Sequence, residues 1–259
     1  MLVTEHAGFE LSKGTEPFVT WRNSLALLSE YPECVFASRK MTALLREERA
    51  SQKPCDGVID ERLTAAVRQL LRELANDEHT LLHEIVDGTI NVLLPKSIAD
   101  QADAATQKEW VKVMGEGLRS STDEELLRAM RKNPRDAVSR WLCSDSGLRY
   151  VYQGIRSSVD DDIIALNLAQ FPSISAAFVS ACGALCMYWL AFGGLESVAP
   201  DTIVNDWNDL EYAVIASISS GLLTKDKRLR NIYTAISDAM IYRRKWFAAQ
   251  GLNGLLVVS

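Results

Sequence analysis

Histidine is scarce in this chain: His6, His79 and His83 are the only three in 259 residues. That scarcity leaves no credible Ser-His-Asp grouping, and no glycine-rich phosphate loop is present either. The cysteines Cys34, Cys55, Cys143, Cys182 and Cys186 are odd in number and include no Cys-x-x-Cys pair. Free thiols in a reducing cytoplasm are therefore expected rather than a disulfide framework. An excess of basic charge is also missing. The formal net charge of -6 excludes a surface wholly given to coating nucleic acid. It leaves room for a local basic track. Glu5 and Glu10 fall where the apolar core of a signal peptide would lie, so no export sequence is expected. Internal repeats and low-complexity tracts are absent from the sequence.

Charge is missing altogether from Ile163 to Leu195. Such a run is long enough to cross a bilayer. Asn167, Gln170 and Pro172 interrupt it, Asp160-Asp161-Asp162 and Glu196 flank it, and no Lys or Arg anchors its ends. A helix buried on all sides is the expectation, with no membrane partner, and with Cys182 and Cys186 serving as small apolar residues of its core. Asp160-Asp161-Asp162 reads as the cap of the apolar helix that begins near Ile163.

What is present is an ordinary globular composition, 47% hydrophobic and 24% charged. Its length suits one large domain or a core with an insertion. The first forty residues read as strand (Leu2 to Thr4), helix (Glu5 to Lys13), helix (Pro17 to Tyr31) and strand (Cys34 to Ser38), with Gly14 closing the first helix. From Lys40 to about Arg156 the pattern is charged and helical. Leu63, Val67, Leu70, Leu71 and Leu74 recur at helical spacing, and Thr122 to Glu125 form an acidic helix start. Gly221 to Thr224 and Gly254 to Val258 read as further short strands. The expected fold class is α/β: a small parallel sheet flanked by helices, helix-rich overall, with a core built from 1–39 and 157–259 and a helical insertion at 40–156.

Carboxylates mark the segment Asn205-Asp206-Trp207-Asn208-Asp209-Leu210-Glu211-Tyr212. Asp206 and Asp209 are spaced to share a helix face, whereas Glu211 falls off that face toward solvent. Asp226 follows the apolar Leu222-Leu223, at what would be the carboxyl end of a strand, where open α/β sheets place functional groups. Crowded carboxylates repel unless a cation or protons offset their charge, so convergence of these acids points to a divalent cation. Taken singly, each reads more readily as a helix cap or first-turn acid; it is their joint occurrence with the Thr224-x-Asp226 spacing that favours a metal site. Lys225, Lys227, Arg228 and Arg230 gather beside Asp226, and Arg243-Arg244-Lys245 lie further on; phosphate contact and a solvated helix face are both open to them. His79 and His83, four apart without a third ligand, read as a solvated helix face rather than a zinc clamp.

The segment from Asn205 to Leu229 resembles the C-terminal signature of PIN-like nucleases: an acid, a helix of small residues, a strand, then Thr-x-Asp, here Asp209, Glu211 to Ser220, Leu222-Leu223 and Thr224-Lys225-Asp226. Glu10-Leu11 matches the family's metal-binding Glu on an early helix, and the match covers about a quarter of the chain. The resemblance implies a Mg²⁺- or Mn²⁺-dependent endoribonuclease, with Glu10, Asp206, Asp209 and Asp226 at the metal and Lys225, Lys227 and Arg228 on substrate phosphate. RNA is the implied substrate, DNA remains open, and a toxin or defence nuclease is the implied setting. In one respect the chain departs from the family, whose opening strand ends in Asp; no such strand precedes Glu10. The alternative expectation is a catalytically incomplete PIN-like protein that acts as an interaction module, binding a protein partner through the helical insertion.

Overall fold

The computed structural model describes residues 2–3, 16–76, 78, 80–86, 103–119, 122–159, 161–170, 173–219, 221–222, 224 and 226–249. Its contacts divide the chain into two compact units, one of Met1–Lys40 with Gly57–Gln101, the other of Met41–Asp56 with Ala102–Ser259.

In the first unit β1 (Leu2–Val3) and β2 (Phe36–Ala37) pair in parallel, Leu2 opposite Phe36 and Val3 opposite Ala37. Around them lie α1 (Pro17–Ser29), α3 (Glu61–Ala75) and α4 (Thr80–Val86). Pro17 opens α1, where its missing N–H costs nothing. Asp60 caps α3 by accepting from the Leu63 amide at 2.8 Å. The leucine spacing on α3 buries Leu63, Val67, Leu70 and Leu71 against Trp21, Leu25 and Val35. Arg68 ties α3 to the strand region, donating from Nε to the Val35 carbonyl at 3.0 Å with its guanidinium over the Phe36 ring. His83 stacks on Phe18 with ring centroids 4.5 Å apart, which gives it a packing role; His79 lies outside the described residues.

The second unit holds α2 (Met41–Ser51), α5 (Ala104–Arg119), α6 (Glu124–Lys132), α7 (Pro134–Leu142), α8 (Asp145–Arg156), α9 (Asp162–Gln170), α10 (Ile174–Phe192), α11 (Pro200–Ile218) and α12 (Lys227–Ala249). α10 is its axis and touches every other helix described in the unit. It is long and apolar enough to cross a membrane, and most of it is buried inside the protein. Close packing begins where side chains are absent. A Cβ on Gly183 would come within 2.8 Å of the Tyr150 ring, so α10 meets that ring at a glycine.

The start of α10 is held by a buried carboxylate. Glu48, 0% exposed, accepts from the Ile174 and Ser175 amides at 2.8 Å each and from the Ser175 hydroxyl at 2.7 Å. Ser173 Oγ takes the Ala176 amide at 2.9 Å. Three orphan donors of the first turn are thereby satisfied, and the negative charge lies at the positive end of the helix dipole.

The expected α/β class is not what forms. Among the described residues the only sheet is the β1–β2 pair, and helices make up nearly everything else. Leu222 lies in the loop between α11 and α12, outside any strand, while Leu223 is not among the described residues. The physical reason is that a short apolar run has no periodicity of its own: it becomes a strand only with ladder partners beside it. Here the interior of the second unit is filled by α10. The expected helix at Glu5 to Lys13 and strand at Gly254 to Val258 lie outside the described residues.

Replacing Glu48 with Ala should destabilise the protein by about 2–4 kcal/mol, because buried amides at the start of α10 lose their acceptor. Urea denaturation with an unchanged slope would measure it; a loss under about 0.5 kcal/mol would show that the cap is dispensable.

Candidate functional site: an acidic cluster clamped by Arg228

α11 begins on Pro200 and runs 19 residues. Its inner face carries Leu210, Ala213, Val214 and Ala216, all buried, so the helix packs tightly along its second half. Asp206 and Asp209 sit one turn apart nearer its start. After the loop, Asp226 caps α12: its Oδ1 accepts from the Leu229 amide at 2.8 Å, and its own amide donates to Thr224 Oγ1 at 3.0 Å. The Thr-x-Asp spacing is thus a local turn that starts a helix. It also places Arg228 in the first turn of α12, from which the guanidinium reaches back to α11.

That guanidinium grips Asp206 with both terminal nitrogens. Arg228 Nη1 donates to Oδ2 at 2.9 Å, and Nη2 donates to Oδ1 in a very close contact. Trp189 of α10 donates its indole N–H to the same Oδ2 at 2.8 Å. Asp206 is 3% exposed, so a carboxylate taken out of water is met by a bidentate cation and a neutral donor. Arg228 Nη2 also lies 3.6 Å from Asp209 Oδ2.

The carboxylates repel one another. Burial pushes the Asp209 carboxyl up to about 6 from an ordinary 3.8, and the negative charge of Asp226 adds to the rise; Arg228 only partly opposes it. Asp206 is also raised, chiefly by burial, against the pull of Arg228 and the Trp189 hydrogen bond. One guanidinium stands among three acids, and Asp209, half-buried, is left less compensated than the buried Asp206.

The expected site residues are therefore distributed as follows. Asp206, Asp209 and Asp226 come within electrostatic reach of each other. Glu10 and Lys225 lie outside the described residues. Lys227 is exposed at the start of α12. Arg228, read from sequence as a phosphate contact, is engaged with Asp206. Glu211 is half-buried rather than solvent-facing. Arg243 is buried and donates to Ser180 Oγ at 3.0 Å, burial lowering its pKa to about 10, whereas Arg244 and Lys245 are exposed. Sequence reading missed Trp189 and the neighbouring Tyr188, whose hydroxyl accepts from Asn231 at 3.0 Å. Both lie in the uncharged run, where an aromatic residue reads simply as core.

The fit of a cation can be judged from the donors. Among the described residues no three His, Cys, Asp or Glu side chains converge as a closed ligand set, which rules out a zinc-type cage there. Mg²⁺ asks for less: one or two carboxylates, with water and substrate phosphate completing its shell. Asp209 and Asp226 meet that requirement in chemistry and in charge, while Asp206 has both oxygens occupied by Arg228 and Trp189. No protein-family model, no curated protein and no solved structure matches this chain. The likeness of 205–229 to the PIN-like signature thus rests on its own residues.

Asp209 gives a pH signature. Because its folded-state pKa lies above the unfolded value, the folded form binds this proton more tightly; the stability it lends is complete below about pH 4 and is lost as pH rises through about 6. Asp209→Asn should therefore raise Tm at pH 7.5 and leave it nearly unchanged at pH 4. Thermal scans across that range would show it, and a variant less stable than the parent at pH 7.5 would refute the repulsion.

Proposed function

We propose that the chain is a Mg²⁺- or Mn²⁺-dependent endoribonuclease whose cation is held by Asp209 and Asp226. The observation that supports it most is the under-compensated carboxylate cluster: partly buried acids with raised pKa values beside a like charge are where catalytic sites concentrate. The reading rests on this donor chemistry and not on a parallel sheet. RNA as the substrate, and a role as a toxin or defence nuclease, come from the PIN-like resemblance of 205–229.

A divalent cation bound there would supply Lewis-acid stabilisation to a phosphodiester under attack by water. The chain's own residues do the rest. Asp206 holds the Arg228 guanidinium against α11, which fixes the start of α12 and so the position of Asp226. Trp189 pins the Asp206 carboxylate from the third side. Lys227, exposed next to Asp226, meets a substrate phosphate. Asp209 must be ionised to hold the cation, so cation affinity weakens as pH falls through about 6.

A second reading has an observation of its own. Arg228 already serves as the internal cation of Asp206, as in a purely structural clasp, and this favours a non-catalytic interaction module. The two readings separate in one assay. With Mn²⁺ the purified protein should cut single-stranded RNA internally, and Asp226→Asn should lower the rate by at least about 100-fold with an unchanged far-UV spectrum, since the amide cannot offset cation charge. Lys227→Ala should weaken substrate binding and flatten its salt dependence. Protein that cuts neither RNA nor DNA with any divalent metal would favour the interaction module.

A further inference from the structure

Where α10 ends, the chain turns through Gly193 and Gly194 into a 3₁₀ turn at Leu195–Ser197 before α11 begins. Gly194 lies at φ 84, a left-handed conformation that glycine alone adopts freely, and its amide donates to the Trp189 carbonyl at 2.7 Å. This turn leaves a cavity of about 380 Å³ lined by Tyr188, Trp189, Phe192, Gly193, Thr202 and Arg228, among others. Two of these, Trp189 and Arg228, are the residues that grip Asp206.

The walls have a definite chemistry. Tyr188 and Phe192, one helical turn apart, stack with centroids 6.0 Å apart and planes 24° from parallel. Tyr188 is 8% exposed, whereas Phe192 is 57% exposed, so the Phe192 ring offers an open face at the cavity. At Gly193 the chain runs close to Ser197, whose Oγ would lie 3.0 Å from a Cβ there. Arg228 brings a partly exposed guanidinium to the same space. A flat aromatic guest suits the ring faces; the Arg228 guanidinium at the edge of the space is already engaged by Asp206, so a negatively charged neighbour of that guest would need a cation at the acidic cluster.

We propose that this cavity seats one unpaired nucleobase of an RNA strand, stacked on Phe192, so that the adjoining phosphate is presented to the acidic cluster. The inference rests on the nuclease reading and adds to it the place where one base is held; a base within a duplex is already stacked on both faces and has no face left to give. Phe192 is then a specificity-determining residue that touches the substrate away from the reacting phosphate.

The test is binding by the full chain, followed by fluorescence anisotropy in Ca²⁺. The probes are a labelled short oligoadenylate and an abasic ribose-phosphate chain carrying the same number of phosphates. The oligoadenylate should bind at least about tenfold more tightly, and Phe192→Ala should remove about that factor while leaving the abasic chain unaffected. Thr202→Trp, which fills the cavity from α11, should reproduce the loss. Equal affinity for both probes, or oligoadenylate binding untouched by both variants, would overturn the proposal. RNA cleavage assayed in parallel keeps the two ideas apart. Base-dependent binding without cleavage upholds the pocket and sinks the nuclease reading; cleavage whose KM ignores Phe192→Ala does the reverse.

Discussion

An uncharged helix of nineteen residues can sit in the middle of an assembly of helices only if its end groups are satisfied there. α10 meets this constraint at its start and gains a second tie near its far end. At its start Glu48 supplies a buried carboxylate to the first-turn amides, and Ser173 closes the next one. Near its far end Trp189 turns its one polar atom to Asp206. The second unit is arranged around these ties: α2 is drawn to the start of α10 by Glu48, and α11 is drawn to its end by Asp206. Removing water from Glu48 and Asp206 is costly in itself, and it is tolerable because nearly every oxygen has a donor.

The functional consequence follows from the end that is less well balanced. Glu48 serves backbone amides and a hydroxyl, with no competing acid. Asp206 shares its surroundings with Asp209 and Asp226, and among the described residues the cation in contact with Asp206 and Asp209 is Arg228. Buried repulsion of this kind is destabilising. A fold that keeps it has placed carboxylates where a proton or a cation can relieve them, and the aromatic cavity opens beside that point.

Parts of this arrangement were legible in the sequence. The spacing of Asp206 and Asp209 put them on one helix face, and the Thr224-x-Asp226 turn brought a third acid near, as local rules of capping and periodicity require. The leucine pattern of α3 and the burial of α10 followed in the same way. The sheet did not. Leu222 and the run from Cys34 to Ser38 carried the same local signal for a strand, yet Phe36–Ala37 pairs with Leu2–Val3 and Ser38 bridges to Ile59 while Leu222 lies in a loop, and strand pairing is non-local information. The partners of Arg228 were hidden for a related reason. A basic residue beside an acid reads as solvent-facing, and nothing local says that it will fold back 22 positions to Asp206. Trp189 was hidden more deeply still, as one aromatic residue among many in an apolar run.

The central claim is that Asp209 is a carboxylate awaiting a cation, and its own titration tests that directly. Carbonyl ¹³C NMR of selectively labelled aspartate, assigned through Asp209→Asn, should give a pKa of about 6 in the metal-free protein. Saturating Mg²⁺ should return it toward the ordinary value near 3.8. A pKa of about 6 that ignores Mg²⁺ would contradict the cation site, and a value near 3.8 without metal would contradict the repulsion on which the account depends.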